Sequence, residues 1–170
     1  EKEAKVFAKQ EWDNFRTLGE DFSDLSKEER KEAVKAWKLA KKNDLELLAV
    51  VKFGIKRMCP EGGTKKVHEV VRKFVQIKER RTANGSLKER SLRDARARAE
   101  MLATILGDSN INEISGKDLK SSLLGIGRSF RTLKNYRSIW SEIFKFAKQR
   151  KYILDNPFDD LSKEDVKEIV

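Results

Sequence analysis

Leu92, Ala95, Ala99, Leu102 and Leu106 stand at offsets 0, 3, 7, 10 and 14, a spacing that lines one face of an α-helix and no face of a strand. The same period recurs in Val67, Val70, Val71, Phe74 and Ile77, and again in Leu133, Tyr136, Trp140, Ile143, Phe144 and Ala147. Runs of alternating Val, Thr and Tyr are missing, and only two prolines and nine glycines interrupt 170 residues. These features together predict an all-α fold. With 39% charged and 38% hydrophobic residues, the helices are expected to be long, with one packed and one solvated face.

Punctuation between the stripes divides the chain. Val6, Phe7, Gln10 and Phe15 predict a first helix that stops at Gly19 and the polar cluster after it. Ser26 followed by Glu29 has the spacing of a capping box, and Ala33, Ala36, Trp37 and Ala40 form the core-facing stripe expected behind it. Asn43 and Asp44 are read as opening a further helix through Leu45, Leu48, Val51, Phe53 and Ile55, which ends before Cys59 and Pro60. The run "PEGG" is the strongest boundary, giving an amino-terminal helical segment 1–63, a domain 64–158 and an acidic linker 159–170. Within the domain, Thr64 is expected to cap the first helix, a second helix opens near Ser91, Ser115 and Asp118 start a third, and a fourth runs from about Ser129 to Lys151.

Charge is unevenly spread over these parts. Residues 1–63 carry 14 Lys and Arg against 13 Asp and Glu, residues 64–158 carry 22 against 10, and residues 159–170 carry 2 against 5. The excess of +12 in the middle block suits a polyanionic partner. A merely solvated basic surface fits the same count. Arg128, Arg131, Lys134, Asn135 and Arg137 crowd the start of the fourth helix, where Arg and Asn side chains can reach base edges and Lys can meet phosphates.

The ordered set from Thr64 to Pro157 resembles the core-binding, SAM-like amino-terminal domain of phage integrases and other tyrosine recombinases. The likeness rests on "LGDSNINEISGKDL" at 106–119, on Ser129 and Thr132 leading into a helix with Ile143, Phe144 and Ala147, and on "KYILDNPF" with Asn156 and Pro157. It implies a four-helix domain, preceded by a small helical segment, that clamps double-stranded DNA with its second and fourth helices. The contacts it implies are Ser91, Arg93 and Arg96 on the second helix, and Ser129, Arg131, Thr132, Lys134, Asn135 and Arg137 on the fourth. It also implies a fragment whose catalytic domain follows in cis, and protomer–protomer contacts on DNA.

Recombinase catalysis needs a tyrosine nucleophile with arginines, a lysine and a histidine to neutralise the phosphate and move protons. His68 stands in "HEVVR", off the family's His-x-x-Arg spacing, and Tyr136 lies on the apolar stripe. The chain is therefore read as non-enzymatic by itself, with no catalytic residue, metal or cofactor. The single cysteine, Cys59, can form no internal disulfide, so a reducing cytoplasm is expected, and the resemblance implies a prokaryotic or phage origin; no apolar run approaches the roughly 20 residues of a membrane span. A helical protein-interaction module with a basic face is the competing reading, drawn from the near-neutral segment 1–63 with Trp12 and Trp37.

Overall fold

The computed structural model describes residues 24–162 and, outside that span, residues 5, 6, 9, 12, 19 and 165. The helix expected around Phe7, Gln10 and Phe15, and the acidic residue Glu164, lie outside the described residues. Among the described residues the chain is helical: α1 (Lys27–Lys42), α2 (Leu47–Met58), α3 (Val67–Ala83), α4 (Glu89–Leu106), a 3-10 turn (Ile111–Glu113), α5 (Gly116–Gly125) and α6 (Phe130–Gln149). The all-α expectation holds. No helix among them is long and apolar enough to cross a membrane.

Two compact units are present, Glu1–Phe53 and Gly54–Val170. In the first, the capping box forms as read: the Ser26 amide donates to Glu29 Oε2 at 2.7 Å and the Glu29 amide to Ser26 Oγ at 3.2 Å. Asn43 ends α1 rather than opening α2, and Asp44 takes a positive φ of 53°. The stripe behind the cap buries only Ala40. Trp37, expected in a core, is 49% exposed; its neighbours on the stripe are alanines that offer little area, and the Lys41 ammonium covers its ring at 4.9 Å.

The boundary between the units falls inside α2, upstream of the "PEGG" turn. That turn belongs physically to the second unit. The Gly62 amide donates to the Lys151 carbonyl at 2.9 Å, Lys151 pairs with Glu61, and Asn112 Nδ2 donates to the Arg57 carbonyl at 3.2 Å. A Cβ on Gly62 would sit 2.3 Å from the Arg150 carbonyl oxygen, so only glycine allows this approach.

The core of the second unit gathers Val67, Val70, Val71 and Phe74 from α3, Ala99 and Leu102 from α4, Leu119 and Leu123 from α5, and Trp140, Ile143, Phe144 and Ala147 from α6. Leu92, Ala95, Ala99 and Leu102 of the α4 stripe are buried as the period requires. Thr64 does not cap α3: Lys66 holds that position, and the Glu69 carboxylate accepts from its amide at 3.0 Å. Ser115 and Asp118 form a reciprocal cap on α5. Trp140 is the largest fully buried side chain, and its Nε1 donates to the Arg98 carbonyl at 2.9 Å, which fastens α6 to α4.

After α6 the chain folds back onto the core. Tyr152, Ile153 and Phe158 are buried, and Phe158 meets Phe144 edge-on with ring centres 6.0 Å apart. Asn156, 3% exposed, accepts from the Phe158 amide at 3.2 Å, so the "NP" pair acts as a buried turn that satisfies its own backbone. Described residues of the segment 159–170, read as a linker, also return to the unit: a Cβ on Gly116 would meet the Leu161 side chain at 3.2 Å. It would also meet the Pro157 carbonyl oxygen at 2.8 Å, and Lys120 bonds Asp165 at 2.6 Å.

Asp165 gives this return a pH signature. Hydrogen bonds from Lys120 and then from Ser162 hold its carboxyl well below the ordinary 3.8, down to about 2. A lowered carboxyl stabilises the state in which it is ionised, so the stability contributed by Asp165 with Lys120 and Ser162 is complete above the ordinary value and is lost as pH falls toward 2. An NMR titration of the Asp165 carboxyl is expected to show a midpoint near 2; a midpoint at 3.8 would mean the Lys120 pair does not persist in solution.

Candidate nucleic-acid interface

Side-chain pairs fix how the long helices run. Arg96 of α4 bonds Glu79 of α3, and His68 at the start of α3 lies with Nδ1 2.8 Å from the Gly107 carbonyl just past the end of α4. These two helices are antiparallel. Lys78 bonds Glu142 at 2.6 Å and Phe74 packs on Phe146, so α3 and α6 are antiparallel as well. Two helices antiparallel to the same third helix run parallel, and the Trp140–Arg98 contact sets their relative height. Nine residues back along each helix from that contact lie Glu89 and Arg131. The starts of α4 and α6 therefore stand at the same end of the bundle, beside the turn that closes α3.

That end is cationic for two additive reasons. Both helix starts carry the positive end of a backbone dipole. Around them stand the exposed side chains of Arg90 and Arg93 on α4 and of Arg128, Arg131 and Lys134 at α6, and among the described residues none of these five is held in an ion pair. Glu89 and Asp94 are the acidic residues nearby on α4.

Most residues singled out from sequence come together here. Ser91 and Arg93 are exposed near the start of α4, as are Ser129, Arg131, Lys134 and Asn135 at the start of α6. Ser129 occupies the N-cap of α6, with its hydroxyl 3.1 Å from that of the half-buried Thr132. Two residues stand apart. Arg96 is drawn toward α3 by its 2.5 Å bond to Glu79 and lines the groove between α3 and α4 with His68, Arg72 and Glu100. Arg137 is half-buried, its guanidinium 5.9 Å from the Phe158 ring centre, with a buried Nε that has no acceptor among the described residues.

Lys88, at the N-cap of α4, is a further cation of the same end, and Arg80 and Arg81 are cations farther along the bundle; the sequence marks none of the three. "RRTANGSLK" reads as a helix break, and a break says nothing about which other helix it will face. With Lys78 level with Glu142 and Phe74 level with Phe146, Arg80 and Arg81 near the end of α3 fall at the level of Ile139 and Trp140, in the middle of α6. Compared with family models, curated proteins and solved structures, the chain matches none of them.

Proposed function

We propose that the second unit binds the backbone of double-stranded DNA, in the manner of the core-binding half of a tyrosine-recombinase clamp. The observation that carries this reading is the shared end of α4 and α6, where arginines and a lysine held in no ion pair among the described residues surround two helix starts. Such an end offers long-range attraction to phosphate together with Arg and Asn side chains able to probe a groove. Arg131 and Asn135, one turn apart on α6, are the pair best suited to base edges; Ser91, Ser129 and Lys134 suit phosphate oxygens. The reading assigns no strand-cleaving chemistry to this chain, and a catalytic domain in cis would supply it.

The test is fluorescence anisotropy of a labelled duplex at micromolar protein over a range of salt. Each phosphate neutralised contributes a slope of about −0.9 in log K against log salt, so engagement of four to six phosphates gives a slope between about −4 and −5. Flat or absent binding at low ionic strength would remove the reading.

A protein-interaction module is the second reading, and α2 favours it. Leu48, Val51, Phe53 and Ile55 are all 45–59% exposed, although they are apolar residues on a helix. Sedimentation discriminates between the two: a stable dimer whose mass is unaffected by duplex DNA supports the second.

A further inference from the structure

The helices α3, α4 and α6 touch one another pairwise, which makes a triangle in cross-section with a groove on each side. The grooves differ sharply in charge. Along the α3–α4 groove Arg72 and Arg96 are matched by Glu79 and Glu100. Along the α3–α6 groove stand Lys73, Lys78, Arg80, Arg81, Lys145 and Arg150, against one acid among the described residues, Glu142, which is bonded to Lys78. Five positive charges are left over on this one side.

We infer that the α3–α6 groove is a track for the phosphodiester backbone of duplex DNA, entered from the start of α6, with α3 rather than α4 supplying its second wall. Arg131, Asn135, Glu142, Phe146 and Gln149 lie at offsets 0, 4, 11, 15 and 18, which at 3.6 residues per turn keeps them within about 60° of one another. The candidate base-reading pair and the groove therefore share one face of α6. From Arg131 to Gln149 that face is about 27 Å long, which is about eight base-pair steps measured along the axis of B-DNA. By contrast Arg93 and Arg96 are three residues apart on α4, with Arg96 held on the α3–α4 side by Glu79.

Aromatic rings under the groove hold its cations in place. Lys73 sits 5.3 Å over Tyr152 and donates to its hydroxyl at 3.1 Å, Lys78 sits 5.0 Å over Phe74, and Arg150 sits 5.5 Å over Phe146. Rings occupied in this way cannot stack on bases. They pre-order the charges instead, which lowers the entropy lost when a phosphate docks. Backbone, not base, is what such a surface recognises.

The inference rests on the DNA-binding reading, and three variants separate the two. Lys145→Glu with Arg150→Glu removes two track charges; Arg72→Glu with Lys117→Glu removes two from elsewhere on the same unit; Arg131→Glu with Lys134→Glu removes two from the start of α6. All six side chains are exposed, and circular dichroism verifies folding. With a labelled duplex, the track variant is expected to bind at least about tenfold more weakly and to lose about two units of salt slope, while the Arg72 and Lys117 variant loses far less. Equal losses in those two variants would reduce the effect to net charge and overturn the track. Wild-type binding by the track variant alongside weakened binding by the Arg131 and Lys134 variant would overturn the track and leave the DNA-binding reading standing. No salt-sensitive binding by the wild-type chain would overturn both.

Discussion

Trp140→Ala is expected to destabilise the second unit by about 3–5 kcal/mol, the cost of emptying a large aromatic site in a close-packed core. The residue is fully buried, lies edge-on to Tyr136 with ring centres 6.3 Å apart, and bonds the Arg98 carbonyl across the α4–α6 interface. Truncation leaves both a cavity and an unanswered carbonyl at the point that sets the height of α6 against α4. Domains of this size are stable by about 5–15 kcal/mol, so roughly a fifth or more of the total is at stake. Urea denaturation followed by circular dichroism measures it, and Trp140→Phe separates the terms by keeping most of the volume while removing the donor. A loss below about 1 kcal/mol for the alanine variant would place the indole outside the tightly packed interior.

Arg131→Glu combined with Lys134→Glu is expected to remove most salt-sensitive duplex binding while leaving the fold intact. Both side chains point into solvent from the first turns of α6, so neither contributes to the core. Reversal does more than delete two contacts. It sets two carboxylates at a helix start where phosphate would otherwise be drawn, so each position turns from attraction to repulsion. A loss of about 1–3 kcal/mol per contact follows if either side chain reads a base, and the salt slope falls by about two. Unchanged affinity and slope, with an unchanged melting curve, would show that DNA does not approach this end.

Much of the architecture is legible in the residues. The stripes on α4 and α6 name their buried faces almost residue by residue, because an amphipathic helix has one way to hide its apolar side. The Ser26 and Ser115 caps are equally local, since each is closed by a partner three residues on. Other local readings were overruled by context. Thr64 is a better N-cap type than Lys66, yet the amides of Val67 and Ile111 bond across to Ser109 and Lys65, and this fixes where α3 begins. Trp37 lies on a helical stripe whose other members are alanines, and periodicity alone cannot tell a covered stripe from an open one.

The candidate interface divides along the same line. Sequence supplies the inventory of Ser91, Arg93, Arg131, Lys134 and Asn135, and the concentration of positive charge between residues 64 and 158. It cannot supply neighbours. Arg96 has the same exposed-face spacing as Arg93, but Glu79 lies 17 residues away and neutralises it. Arg137 has the chemistry of a DNA contact, but Phe158, beyond the end of α6, takes its guanidinium.

Helical character, the buried faces and the charge imbalance all follow from residues within a few turns of each other, so the order of amino acids is enough to determine them. Which ends of the helices meet, which arginines keep their charge free and which groove collects the rest depend on pairs such as Lys78 with Glu142 and Trp140 with Arg98, more than 40 residues apart. Packing alone chooses those pairs, because burying three apolar stripes against one another fixes direction and height that no single stripe encodes.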